Sequence, residues 1–279
     1  MSDVASDVAA VVIDYHADHV LIDCVDSLLD NGVSEIVIVE NGEAGSVPAS
    51  LSDRGVVVVS PGVNLGYGRG INRGVALARP TKYVLASNPD VVVHDGAVAA
   101  LVNYLDVHEE VALVGPEVRR PDGSVYPSMR VFPNVWLAGL HAVLAPMWPS
   151  NPATKRYRST RSDGSVDWVS GACFLVRRSA FETVGGFDER YFMFAEDMAL
   201  CWQLREHGFK VAATTEAVVT HIEGVSRARA SRDMLIAHHR SALRFEFQTA
   251  KGWRRLLVPL AALVLSLRLA LVLVARPKS

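Results

Sequence analysis

Two adjacent carboxylates, Glu196 and Asp197, stand at the start of a helical pattern, directly behind the run Tyr191-Phe192-Met193-Phe194. Exposed N–H groups favour acidic residues in a first helical turn, so the pair has a purely structural explanation. A carboxylate at the mouth of an apolar shell is also a group that can take a proton from a hydroxyl. A third carboxylate, Asp90, closes Ser87-Asn88-Pro89-Asp90, which on its own reads as a turn between a strand and a helix. His221 ends an apolar run and taken singly is more often structural than a ligand. The stretch Asn64 to Gly74 is rich in glycine, yet Ile71 stands where a dinucleotide fingerprint needs glycine, and no Gly-Lys-Ser/Thr loop exists. Cys24, Cys173 and Cys201, at unrelated spacings inside apolar patterns, spell no zinc site and suggest buried thiols in a reducing compartment.

The elements that must position these groups follow from periodicity. Val8 to Asp14 is a nearly continuous apolar run, as expected of a parallel strand covered on both faces. A helix capped by Asp18 follows, with Leu21, Cys24, Val25 and Leu28 on its buried stripe, and Asn31-Gly32 ends it. Strands are expected at Glu35 to Glu40, Val56 to Ser60, Tyr83 to Ala86, Val111 to Val118, Asp167 to Val176, Phe209 to Thr214 and Val218 to His221. Helices are expected at Gly96 to Val107 and Ala195 to His207, and Pro121-Asp122-Gly123 makes a hairpin turn. Strands alternating with helices imply an α/β doubly wound sheet that binds ligands beyond its C-terminal strand ends. That rule selects Asp14-Tyr15, Glu40-Asn41, Asn64 and Asn88 to Asp90. Tyr15 could stack on a nucleobase or simply cap the sheet edge, and a carboxylate at Glu40 can accept the imide N–H of uracil or thymine.

Gly-Gly-Phe-Asp-Glu at 185–189, then Phe-Met-Phe and Glu196-Asp197, with Asp167-Trp168-Val169-Ser170-Gly171-Ala172-Cys173 upstream, resemble the family 2 glycosyltransferases of the GT-A fold. The rhamnosyltransferase-like enzymes of bacterial cell-envelope assembly are the nearest subgroup, and the resemblance covers roughly Val8 to Ser226. Ala199 departs from a frequent Asp and Gln203 from a frequent Arg. The resemblance implies an inverting transfer of a sugar, with L-rhamnose from dTDP-L-rhamnose the first expectation, from a nucleotide-diphosphate donor to a polyprenyl-diphosphate-linked N-acetylglucosamine. Other donors, such as UDP-galactofuranose, UDP-glucose or GDP-mannose, would use the same motifs. It makes Asp197 the general base, with Glu196 placing the helix end or an acceptor hydroxyl. Asp14, Tyr15, Glu40, Asn41, Asn64, Gly66, Gly70, Asn72, Asn88 and Asp90 then line the donor site, the glycines letting a helix approach the nucleotide. Trp168, Gly171 and Ala172 fall on the acceptor side, Gly171 leaving room for a sugar ring. Asp90, as the last carboxylate of an Asp-x-Asp element written here Asn-Pro-Asp, would hold Mg2+ or Mn2+ with His221.

Half of the 279 residues are hydrophobic, enough for one large core with an appendage. The net charge of −2 hides a segregation: from Ser226 onward eleven Lys and Arg face only Asp233 and Glu246, a balance of +9, leaving −11 before it. A catalytic domain over 1–225 and a basic, apolar helical tail over 226–279 that associates with a membrane are expected. Trp253-Arg254-Arg255 precede Leu256 to Ala275, long enough to span a bilayer of roughly 30 Å or to lie at its interface with Arg268 inside. Met1 to Asp7 lacks a secretory pattern, so the expected location is the cytoplasmic face of the cell membrane, with no nucleic-acid partner. Residues Met129 to Ser165, rich in Pro and Trp, read as a long acceptor-side flap that could also touch lipid. A nucleotidyltransferase would need a Gly-rich basic loop after the first strand, which Tyr15-His16-Ala17-Asp18 is not. A silent membrane-binding partner would have little use for Asp90, Asp197 and His221 together.

Overall fold

A computed structural model describes residues 4–42, 44–132, 148, 150–152, 166–222 and 232–275. The strands are β1 (Val8–Asp14), β2 (Glu35–Glu40), β3 (Val57–Val59), β4 (Tyr83–Ser87), β5 (Val91–Val93), β6 (Val111–Arg119), β7 (Met129–Arg130), β8 (Trp168–Val169), β9 (Cys173–Arg177) and β10 (Lys210–His221). Among the described residues the helices are α1 (Asp18–Asp30), α2 (Ala49–Ser52), α3 (Tyr67–Leu77), α4 (Ala97–Val107), α5 (Arg178–Thr183), α6 (Glu196–Glu206), α7 (Arg232–Thr249) and α8 (Val258–Ala275).

Eight strands form one sheet in the order β3-β2-β1-β4-β9-β6-β10-β5, and β7 pairs with β8 beside it. The pairings β3–β2, β2–β1, β1–β4 and β6–β10 are parallel, whereas β9 runs antiparallel to both its neighbours and β5 antiparallel to β10. The result is an α/β, mostly parallel sheet with helices on both faces. Alternation along β1 divides the core: Val8, Ala10 and Val12 pack with Leu21, Leu28 and Leu101 of α1 and α4, while Ala9, Val11 and Ile13 pack with Ile71, Phe181 and Leu200 of α3, α5 and α6. Asp14 and Glu40 are paired in register, so the first two carboxylates end side by side on one rim.

Several boundaries differ from expectation for local reasons. Ala17, not Asp18, occupies the cap of α1, and its N–H is taken by Asp14 Oδ1 at 3.2 Å. The strand expected over Asp167 to Val176 breaks at Ser170–Ala172, and this break creates the turn on which the site depends. The two segments expected around Phe209 to His221 are one strand, β10, with an irregularity between Thr214 and Val218. The three cysteines are free and buried, and burial pushes each thiol up to about 12.

α7 is packed onto the body. Its Phe245 joins Tyr191 and Ala199 in a small cluster bordered by Phe132, Met198 and Trp202. Beyond it, α8 leaves Leu260, Leu263 and Leu267 exposed. Among the described residues no helix is long and apolar enough to cross a membrane. The 18 residues of α8 measure about 27 Å at 1.5 Å each, short of a bilayer core, and Arg268 interrupts them. The spanning alternative for Leu256 to Ala275 is therefore not supported. Most of the expected Met129 to Ser165 flap, and Arg227 and Arg229 of the basic cluster, lie outside the described residues.

Candidate active site

α6 begins one residue later than its pattern suggests, because Phe194 and Ala195 both adopt left-handed backbone, φ 67° and 62°. Such angles are uncommon without glycine and cluster at functional sites. They turn the chain so that Glu196 and Asp197 open the helix pointing inward. Asp197 Oδ2 accepts the Gly171 N–H at 2.9 Å and Oδ1 the Met198 N–H at 2.8 Å. Burial raises the Asp197 carboxyl above its usual range, against the lowering effect of those N–H donors and of Arg130. Glu196 is buried with Oε2 lacking a hydrogen-bond partner, and burial, then the charge of Asp197, push it up to about 8. The pair is thus a carboxyl held by two backbone N–H groups beside one that resists ionisation.

The turn Ser170–Ala172 ties three regions together. Gly171 N–H holds Asp197, and Gly171 C=O accepts from the Tyr67 hydroxyl at the start of α3. Ala172 C=O accepts the Asn88 N–H at 2.8 Å, two residues from Asp90. A Cβ on Gly171 would lie 3.2 Å from Tyr67 Cε1 and 3.5 Å from Asp197 Cβ, so the glycine is wanted for close approach within the protein. Tyr67, an aromatic between Gly66 and Gly68, was not singled out by sequence reasoning.

The residues expected on the donor side also make contacts within the protein. Glu40 is 2% exposed and accepts from the Ser46 hydroxyl at 3.0 Å, the Val47 N–H at 2.8 Å and the Ser60 hydroxyl, so its carboxylate braces its own loop. Burial works to raise it, yet those donors together hold it down to about 2. Asn41, buried, pins the 65–66 backbone through Leu65 N–H and Gly66 C=O. Asn64 Oδ1 accepts the Gly66 N–H at 2.8 Å in a local turn. Asn72 bonds both the N–H and C=O of Phe187 at 2.9 Å, clamping the loop that leads to the carboxylate pair. The glycines serve the same packing: a Cβ at Gly70 would meet Ile13 at 2.9 Å, and one at Gly66 would meet the Phe192 carbonyl at 1.9 Å. These residues build the rim; Asp14, buried, and Tyr15, 41% exposed with its ring edge-on to His16, stand on that rim.

Asp90 and His221 come together from sequence positions 131 apart, with Nε2 3.1 Å from Oδ1 and both side chains nearly buried. The Asn88 amide lies 3.5 Å from the same nitrogen. Among the described residues no group of three or more His, Cys, Asp or Glu could hold a metal ion. Buried His221 Nδ1 has no hydrogen-bond partner. One carboxylate oxygen and one imidazole nitrogen at this separation suit adjacent positions around an ion that takes its other ligands from phosphate and water. Of the residues expected on the acceptor side, Gly171 lies against Asp197 and Ala172 against Asn88. Trp168 instead braces β7, its indole N–H donating to Val131 C=O at 3.2 Å with Arg130 stacked 5.5 Å from its ring centroid.

Known proteins resemble this chain in sequence and in fold. The model of the glycosyltransferase like family 2 matches residues 5–239. An N-acetylglucosaminyl-diphospho-decaprenol L-rhamnosyltransferase of Mycobacterium tuberculosis is 39% identical over 235 residues, 79% of this chain and 76% of that protein. Rhamnosyltransferase WbbL of Escherichia coli is 30% identical over 172 residues, 56% of this chain and 60% of that protein. A solved mannosyltransferase of Pyrobaculum calidifontis in complex with GDP-Man and Mn2+ superimposes with a TM-score of 0.60 at 15% identity, over 98% of this chain and 76% of that one. GalNAc-T7 with UDP, GalNAc and Mn2+ gives 0.59 at 15%, over 87% and 52%. At such identities the structures bear on the fold alone, which is GT-A-like.

Proposed function

We propose, from the premise that this chain belongs to glycosyltransferase family 2 and is a glycosyltransferase, that it transfers L-rhamnose from dTDP-L-rhamnose to a polyprenyl-diphosphate-linked N-acetylglucosamine. The observation that carries the choice of sugar and acceptor is the 39% identity to the mycobacterial L-rhamnosyltransferase over most of both chains. In this reading Asp197 takes the proton of the acceptor hydroxyl as its oxygen bonds to the anomeric carbon, while the bond from that carbon to the donor diphosphate breaks on the opposite face. Configuration inverts, and no covalent enzyme intermediate is needed. Asp197 suits the role because the Gly171 and Met198 N–H groups fix its orientation. Glu196, kept protonated around neutrality, can donate a hydrogen bond without adding a second negative charge beside the base.

Asp90 and His221 would hold Mg2+ or Mn2+, which when bound supplies positive charge to the departing diphosphate. Asn88 is held beside them, its backbone fixed to Ala172. The rim around Asp14, Tyr15, Asn41 and Asn64 would take the nucleoside. Residues 1–225 would carry this chemistry, and 226–279 would bring it to the cytoplasmic face of the membrane, where Trp253, Arg254, Arg255 and the exposed leucines of α8 suit an anionic interface. The test is incubation of purified protein and membranes with a panel of radiolabelled sugar nucleotides, followed by identification of the lipid product. Label moving from dTDP-rhamnose into a lipid-linked disaccharide is the expected result. Transfer from another donor alone would overturn the choice of sugar, and no transfer from any donor the function.

A further inference from the structure

Phe194 and Ala195 can remain left-handed only where their surroundings over-determine them. Constraint comes from two sides. On one, the Phe192 carbonyl rests against Gly66, where no side chain would fit. On the other stands α7, outside the motifs that read as chemistry. Its buried Ser241 donates from Oγ to the Met193 carbonyl at 2.8 Å. Its Gln248 accepts from the Tyr191 hydroxyl at 2.8 Å, and Phe245, 3% exposed, fills the space beside Tyr191 and Ala199. The ring of His238 meets Phe194 edge-on at 5.2 Å.

We propose that α7 is a positioning element of the active site: Ser241 on the Met193 carbonyl, backed by Phe245, holds the 193–195 backbone in the conformation that sets Asp197 against Gly171. Neither residue reaches the reacting atoms; both act through the loop. Without the Ser241 hydroxyl the Met193 carbonyl loses that bond, the two left-handed residues can relax, and Asp197 can leave the Gly171 N–H. The inference rests on the reading of Asp197 as proton acceptor. It also makes the first helix of the basic C-terminal segment part of the catalytic body.

The experiment compares full-length Ser241→Ala, Ser241→Thr and Asp197→Asn on the same donor and acceptor, reading kcat, donor KM, the pH dependence of kcat and the thermal midpoint. Ser241→Ala is expected to lower kcat by roughly 10-fold to 10²-fold, the scale of a small misplacement of a reacting group. Donor KM should stay within about 2-fold, since donor contacts are untouched. The acid limb of the pH profile should move to lower pH, because a loosened loop lets water reach the carboxylates. Ser241→Thr, which keeps a hydroxyl, should recover most of the loss. Wild-type kcat in Ser241→Ala, or a fall that follows only the loss of folded protein, overturns the proposal. If Ser241→Ala does not fold, Tyr191→Phe carries the same expectation on a smaller scale, and an unchanged kcat there overturns it. Near-normal turnover in Asp197→Asn would overturn the underlying assignment instead, whatever Ser241 does.

Discussion

Glu40 at the end of β2 and Glu196 at the start of α6 are buried alike, 2% and 7% exposed, and are treated in opposite ways. Around Glu40 burial is outweighed by two hydroxyls and backbone N–H groups, and the carboxylate is held down to about 2. Around Glu196 burial acts without a partner for Oε2, Asp197 adds its repulsion, and the carboxyl is pushed up to about 8. The donor-side rim spends its polar groups on shape: Glu40, Asn41, Asn64 and Asn72 all bond to protein. The Glu196–Asp197 corner instead stores backbone strain and an unsatisfied carboxyl, a condition that clusters at functional sites.

The largest effect that this contrast predicts is at Asp197. Asp197→Asn keeps the shape and removes the basicity, so turnover should fall by roughly 10² to 10⁴-fold while donor affinity measured by calorimetry stays nearly unchanged. Retained turnover would mean that the strained corner is architecture, like the rim. Next comes the Asp90–His221 pair. Chelation should abolish activity, and Asp90→Ala should weaken nucleotide-sugar binding measured with metal present, because several kcal/mol of charge stabilisation are at stake. Binding and turnover that both survive chelator would sink the metal role.

Stability separates the two glutamates by sign. Glu40 has a folded pKa near 2, below its unfolded value of about 4.3, so its contribution is present above the unfolded value and lost as pH falls toward 2. Glu40→Gln should therefore destabilise at pH 7, by an order of 2–3 kcal/mol, with the difference from wild type shrinking to about half by pH 3 and largely gone only near pH 2. Glu196 has a folded pKa near 8, above its unfolded value. Holding its proton in the folded state, when the unfolded chain would release it, costs stability that grows as pH rises from about 4.3 to 8, so Glu196→Gln should stabilise the fold at pH 7–8, on the order of 1–2 kcal/mol. Denaturant unfolding of both variants from pH 3 to 8 measures this, and equal signs at neutral pH would erase the contrast.

The fold was legible because β1, β2 and β4 carry nearly continuous apolar runs, and β1 and β2 each end in a carboxylate, Asp14 and Glu40. Asp90 and His221 were named from the resemblance, and β10 beside β5 brings them to 3.1 Å. Asn41, Asn64 and Asn72 all bond backbone, a contact the sequence could not reveal because an asparagine that bonds backbone and one that bonds a nucleotide look identical there. Tyr67 and Ser241 were invisible for a related reason: each acts through a carbonyl, on Gly171 and Met193, that belongs to a distant segment. A hydrogen bond to backbone leaves no trace in the type of its partner residue.

The smallest catalytic effect should follow removal of everything after Lys251. Such a chain keeps Ser241, Phe245 and Gln248, so the support of the 193–195 loop survives. It loses Trp253, 66% exposed, Arg254, Arg255 and α8 with its exposed leucines. Among the described residues the body gives up the ion pair of Arg254 with Glu246 at 3.2 Å, the Arg255 Nε hydrogen bond to the Ala250 carbonyl at 3.2 Å and the packing of α8 on α7, none of which touches the 193–195 loop. Each basic side chain near an anionic bilayer contributes about 1 kcal/mol and buried apolar area adds to it. The truncated enzyme should therefore move from the membrane fraction toward the soluble one. Its kcat on a short water-soluble acceptor analogue should stay within about 2-fold of wild type, while the rate on the natural lipid falls much further. If it still sediments with membranes, the attachment lies elsewhere; if it loses activity on the soluble acceptor as well, α8 is part of the support that holds the catalytic pair, and the boundary between the two regions moves to the end of the chain.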